Sequence, residues 1–152
     1  MLYQKYLYEN YILECQRIKK CYKTRLHRWN NEKYNPDIIC CSETKLSSNI
    51  EIINNNPYKY INYSKVIYGY AGTAIFSKIK PKSKFDWTEQ LDKEGRLISL
   101  EFNDCIIANI YAPNAGEKLQ NLHWKIYTWF PNLIEIIHKL QQKKPVIICG
   151  EL

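Results

Sequence analysis

The stretch Asn109-Ile110-Tyr111-Ala112-Pro113-Asn114-Ala115-Gly116 decides how this chain reads, because it runs from a buried-strand pattern straight into a rigid polar turn. Cys105 to Tyr111 is short and apolar, as expected of a strand in the interior of a sheet. Pro113 then fixes the backbone, so that Tyr111 and Asn114 can project from one turn toward a group the size of a phosphate. The competing reading is an ordinary turn, with Asn as turn former and Tyr as an apolar cap on the sheet.

Working outward, Asn103-Asp104 reads as a two-residue hairpin turn back to a strand over Leu97 to Phe102. Asp37 to Cys41, Tyr58 to Tyr63, and Ala71 to Ser77 read as further strands, the first buried on both faces and preceded by the stop signal Asn35-Pro36. Val146 to Cys149 is a last buried strand that leads into Gly150-Glu151-Leu152. Ile18, Tyr22, Leu26 and Trp29 predict an amphipathic helix over 17–33. Leu119, Leu122, Ile126, Trp129, Leu133, Ile136, Ile137 and Leu140 predict a second from Glu117 to Gln142, with Pro131 as a kink or a restart. Strands mixed with helices that must cover a sheet place the chain in the α/β class.

A length of 152 residues suits one compact domain. Twenty-two basic against fifteen acidic residues leave a formal charge of +7, which favours an anionic partner although no dense Lys/Arg block exists. The six cysteines include no C-x-x-C pair, and Cys40, Cys41 and Cys149 sit in apolar runs where Cys acts as a small hydrophobe. That pattern fits a reduced, intracellular setting. His27, His123 and His138 lack metal-ligand spacing, which argues against zinc. Met1 to Tyr11 carries Lys5 and Glu9 and forms neither a signal h-region nor a membrane span, so secretion and membrane insertion are not expected.

Open α/β sheets bind ligands at the carboxyl ends of their strands, and Glu43, Asn109 to Asn114 and Glu151 all fall at such ends. A carboxylate there suits Mg²⁺, which takes oxygen ligands and bridges to substrate phosphates; the plain alternative for Glu43 is a solvated loop residue. Arg96 after Glu94-Gly95 is either a bidentate phosphate contact or a charged strand-start residue. Gly69-Tyr70-Ala71-Gly72 is a tight turn whose aromatic either touches DNA or caps the core.

Pro36-Asp37-Ile38-Ile39-Cys40, Glu43-Thr44-Lys45, Tyr70-Ala71-Gly72-Thr73-Ala74-Ile75-Phe76-Ser77, Glu94-Gly95-Arg96, the opening run and Ile148-Cys149-Gly150 together resemble the exonuclease III class of AP endonucleases, in order and spacing. The resemblance runs from about Pro36 to Leu152 and corresponds to the first half of the family domain. It implies part of a four-layered α/β sandwich of the endonuclease/exonuclease/phosphatase superfamily, with residues 1–35 as a divergent first strand and helix. It implies divalent-metal-dependent hydrolysis of DNA, using Mg²⁺ or Mn²⁺, at abasic sites or 3′ ends of double-stranded substrates. By the same resemblance Glu43 is the metal ligand and Lys45 a basic neighbour. Tyr111 and Asn114 lie against the scissile phosphate, and Tyr70 and Arg96 contact the DNA strand. Glu151 stands where the family has an Asp that orients or deprotonates the attacking water.

Three departures temper that expectation. Counting back from Trp29, the family's first-strand motif falls on Leu13-Glu14-Cys15-Gln16-Arg17, which keeps none of its Asn, Asp or Gly. Glu in place of Asp at 151 moves the carboxylate by roughly 1 Å, a shift that can lower rate by about 10²-fold where geometry is tight. The late acid/base residues of the family have no counterpart, so the expected chain is an impaired or inactive nuclease; the alternatives are a noncatalytic DNA-binding remnant or a retroelement-type endonuclease fragment. A missing second half would also leave the inner sheet face of Cys105 to Tyr111 and Val146 to Cys149 exposed, making a marginal monomer open to self-association.

Overall fold

The computed structural model describes residues 4–7, 10–16, 36–47, 56–89 and 91–152, the first two segments as backbone. Among them, strands β1 (Gln4–Leu7), β2 (Asn10–Gln16), β3 (Ile38–Ser42), β4 (Tyr58–Asn62) and β5 (Thr73–Ser77) form one sheet in the order β1-β2-β3-β5-β4. Strands β6 (Ser83–Phe85), β7 (Leu97–Glu101), β8 (Ile106–Tyr111) and β9 (Val146–Glu151) form a second sheet in that order. The pairs β2–β3 and β8–β9 are parallel and the rest antiparallel. The expected strands therefore appear within one or two residues of their predicted ends, while β1 and β6 are additions. The helix expected over 17–33 lies outside the described residues.

Side-chain alternation along the strands builds three layers of contact. Ile38 and Cys40 of β3 and Ile75 of β5 pack against Ile98, Leu100, Ile107 and Cys149 of the second sheet, forming the seam between the sheets. The opposite faces of the same strands feed two further clusters. Ile39, Cys41, Ala74 and Phe76 gather with Leu46 on the far side of the first sheet. Leu97, Ile106, Ala108 and Ile110 pack under Trp129, Leu133, Ile137 and Leu140. Because both sheets come from this one chain, β8 is buried from Ile106 to Ile110. That corrects the expectation of an exposed inner face for β8: of the two strands it named, β9, at one edge of its sheet, is the one partly open, with Ile148 37% exposed.

The β8–β9 crossover is helical but not one uniform helix. α1 (Leu122–Trp124) passes into a π-helical turn (Lys125–Trp129), which passes into α2 (Phe130–Gln141). Pro131 has no N–H to give to the preceding turn, and the N–H of Phe130 reaches back five residues to the Lys125 carbonyl. One inserted residue turns the helix face by about 100° relative to the turns after it. The predicted apolar stripe is consequently broken: Trp129, Leu133, Ile137 and Leu140 are core, whereas Ile126 is 46% exposed. Leu119, 59% exposed at a φ of 55°, lies in the turns before the helix, which begins at Leu122 and not at the expected Glu117. No helix among the described residues is long and apolar enough to cross a membrane.

A buried amide crosses the centre of the seam. Asn109 is wholly buried, and its Nδ2 donates to the carbonyls of Cys41 at 2.9 Å and Ala74 at 3.1 Å, while Ser42 Oγ lies 3.5 Å from its Oδ1. Cys41 and Ala74 are direct cross-strand partners of β3 and β5, so the amide pins two strands of one sheet to the centre of the other. Asn109→Ala is expected to lower stability by about 1–3 kcal/mol through loss of these bonds and the void left behind, read as a lower urea midpoint at unchanged slope.

Candidate active site at the strand ends

The ends of β3, β8 and β9 converge, and the chain leaves each of them by a constrained backbone. Glu43 and Lys45 follow β3 with φ of 51° and 54°, in the left-handed region that non-glycine residues seldom occupy. This corner is held by N–H donation from Thr44 to the Gly72 carbonyl at 3.0 Å and from Lys45 to the Ala71 carbonyl at 2.8 Å. Gly72 must be glycine: its φ is 88°, and a Cβ would stand 2.4 Å from Thr44 Oγ1. Strain of this kind persists only where surroundings over-determine it. Here it sets the Glu43 carboxylate, 15% exposed, 3.0 Å from Lys45 Nζ.

Tyr111 closes β8 beside Glu151, its register partner on β9, and the Ala112 N–H donates to the Glu151 carbonyl at 2.7 Å. Gly150 makes this approach possible, since a Cβ there would fall 1.9 Å from the Ile110 carbonyl oxygen. Burial pushes the Tyr111 phenol above its ordinary value near 10; the carboxylates of Glu43 and Glu151 and the Tyr70 phenol act the same way, and Arg96 opposes them. The phenol is therefore a hydrogen-bond donor throughout the neutral range. Asn114 spends Oδ1 on the Gly116 N–H at 2.8 Å, as a turn former does, which leaves its Nδ2 as the donor side of the amide. The turn-former reading thus accounts for Oδ1.

Arg96, expected to contact the DNA strand, is enclosed by partners within the chain. It is 4% exposed, with Nε donating to Glu94 Oε2 at 2.6 Å, Nη1 to the Tyr111 and Ala112 carbonyls at 3.3 Å, and Nη2 to the Tyr70 hydroxyl at 3.1 Å. Its guanidinium carbon lies 4.9 Å from the Tyr111 ring centroid and 5.4 Å from that of Tyr70. A group so committed braces the Tyr70 hydroxyl and the end of β8. Tyr70, 39% exposed, and Lys45, with a side chain 43% exposed, remain at the surface. Arg96 is itself held by Asp92, which is buried and accepts from the N–H groups of Arg96 and Leu97 and from Asn62 Nδ2.

The site therefore joins Glu43, Tyr111 and Glu151 electrostatically, with Asn114 on the adjoining turn and Tyr70 tied in through Arg96. Comparison with known proteins gives this arrangement a context. The chain is 39% identical over 119 residues to an exodeoxyribonuclease of Bacillus subtilis, covering 76% of this chain and 46% of the relative. It is 38% identical over 128 residues to a DNA-(apurinic or apyrimidinic site) endonuclease of Dictyostelium discoideum, covering 80% and 35%. The crystal structure of an AP endonuclease from Leishmania major superposes with a TM-score of 0.75 at 19% identity, covering 93% of this chain and 54% of that one. The chain is related, over part of their length, to the exonuclease III-class AP endonucleases. It spans less than half the length of either of these curated relatives. No protein-family model matches it.

The family's first-strand motif, expected at Leu13-Glu14-Cys15-Gln16-Arg17, falls on β2 as far as Gln16, which pairs with Ser42 one residue before Glu43. Its side chains lie outside the described residues. Sequence reasoning missed Asp92 and Asn62, whose clamp on Arg96 depends on contacts across thirty residues of chain. It also missed Asn121 and Trp124, which line a cavity reaching Asn114. Trp124 gives one signal, being a large aromatic outside the helix's apolar stripe.

Two measurements test the geometry. Arg96→Ala should destabilise the fold by about 3 kcal/mol in urea unfolding, because Glu94 and the Tyr70 hydroxyl lose a buried partner. In difference absorbance of wild type against Tyr111→Phe, the Tyr111 phenol should titrate above free tyrosine. Glu43→Gln should move that titration down, since removing a neighbouring negative charge favours the phenolate.

Proposed function

We propose that this site grips the DNA backbone at an abasic site or a 3′ end and supplies the phosphate-binding and carboxylate part of a divalent-metal-dependent phosphodiester hydrolysis. The observation that carries this reading is the meeting of Glu43, Tyr111 and Glu151 at three strand ends, beside the Asn114 turn. The kinship with DNA-repair nucleases supports it, and a fold neighbour, the 3′ phosphatase NExo from Neisseria, is a structure with product DNA hairpin bound, at TM-score 0.66.

Glu43 fits a divalent cation by its chemistry: a fixed carboxylate offers the hard oxygen that Mg²⁺ or Mn²⁺ prefers, and Mg²⁺ commonly uses one or two carboxylates with waters and substrate phosphates. When bound, such an ion neutralises charge building on the phosphate. Lys45 must release Glu43 and then offers its ammonium to the neighbouring backbone. The Tyr111 hydroxyl and Asn114 Nδ2 donate to non-bridging phosphate oxygens. Glu151 orients the attacking water and takes its proton as the water oxygen bonds to phosphorus; the P–O bond to the leaving oxygen breaks, and that oxygen takes a proton from solvent. Tyr70 rests against the strand.

A second reading is DNA binding without turnover. It is favoured by the Glu43–Lys45 ion pair, which already neutralises the carboxylate that a cation would need. Incubating the chain with an abasic-site duplex and Mg²⁺ separates the two. Incision that needs the metal, disappears in Glu43→Ala and falls about 10²-fold in Tyr111→Phe supports hydrolysis. Retention of the duplex in a gel shift with no incision establishes binding alone, and failure of both overturns DNA as the partner.

A further inference from the structure

A cavity of about 280 Å³ opens beside the phosphate turn, lined by Trp124, Tyr70, Val66, Arg96, Asn114 and Asn121 among others. Its volume lies just below the usual range of about 300–1,000 Å³ for small-molecule sites, enough for one flat ring system and its sugar. Trp124 is 43% exposed although it is the largest aromatic side chain there is, and Val66, on the loop opposite, is 58% exposed. Arg96 lines the cavity with its charge already paired to Glu94, which lines it too. The side-chain amide of Asn121 adds a donor and an acceptor that can meet either kind of group on a ring edge.

We infer that this cavity is a slot for one unstacked nucleobase, with Trp124 as its stacking wall. The inference rests on the DNA reading above and extends it. The argument for a base over any other flat group is connectivity: Asn114 belongs both to the turn assigned to the phosphate and to the cavity lining. One ligand can therefore span both, and the group joined to a backbone phosphate is a nucleoside. Aromatic walls with one amide that can meet either hydrogen-bond polarity suit any base, since every base has a π-face. The π-helical turn directly after Trp124 places it there, because it rotates the front of the helix away from the core register.

The test compares two fluorescein-labelled single strands of equal length and charge, one of thymidylate and one of abasic tetrahydrofuran units, by anisotropy in EDTA. The thymidylate strand should bind about tenfold more tightly, the size of one good base–aromatic stack. Trp124→Ala should abolish that advantage and leave the abasic strand's affinity unchanged, whereas Trp124→Phe should keep most of it. Tyr127→Ala, which removes an aromatic that is 69% exposed and outside the cavity, should change neither. Equal binding of both strands by the wild type, or an advantage that survives Trp124→Ala, overturns the slot while DNA binding stands. If neither strand nor an abasic-site duplex binds, the DNA reading itself fails.

Discussion

The Asn109 amide is the constraint on which the rest of this structure depends. A two-sheet seam of aliphatic and cysteine side chains can slide by one residue at modest cost, but a buried amide bonded to two named carbonyls cannot. It fixes the register between β3 and β8, and the active-site geometry is a direct reading of that register. Glu43 lies two residues past Cys41 on one strand and Tyr111 two residues past Asn109 on the other. The pin therefore sets how far the carboxylate and the phenol stand apart. Gly150 does the corresponding work for β9, allowing the strand close enough for Glu151 to arrive beside Tyr111.

Above that seam the site is braced by charges that never reach solvent. Asp92 holds the backbone of Arg96, and the Arg96 guanidinium holds Tyr70 and the carbonyls at the end of β8. Burial raises the Asp92 carboxyl above its ordinary range, while the bonds from Arg96, Asn62 and Leu97 pull the other way. A network of this kind contributes less to net stability than to uniqueness, because any loop conformation that breaks it strands a polar group. The left-handed corners at Glu43, Lys45 and Ala71 belong to the same logic: each is unfavourable alone and held by the bonds of its neighbours.

Much of the fold is legible in the sequence because it rests on local pattern. Short apolar runs bounded by Asn, Pro and Gly locate β3, β5, β7, β8 and β9, and the Asn103-Asp104 turn is confirmed by the Phe102 N–H donating to the Cys105 carbonyl at 2.8 Å. Features that depend on distant contacts are not legible. Arg96 looks like a surface charge until Glu94, Tyr70 and the end of β8 are seen to enclose it. The exposed face expected of β8 does not exist, because strands from the first half of the chain cross to cover it. The stripe of the crossover helix reads as continuous because no residue-level signal distinguishes an i→i+5 bond from an i→i+4 bond. Only Pro131 marks the place, and a kink or restart at that proline does not by itself reveal the added residue.

That added residue divides one helix into two parts with separate obligations. From Trp129 onward every third or fourth side chain is wedged under the second sheet, and a change of one methylene is felt by the whole core. Ahead of Trp129, Trp124 and Ile126 answer to no interior neighbour of that kind, so their identities are free to drift with whatever the surface meets. A lineage can retune what this face touches, one aromatic at a time, without renegotiating the stability of the domain beneath it.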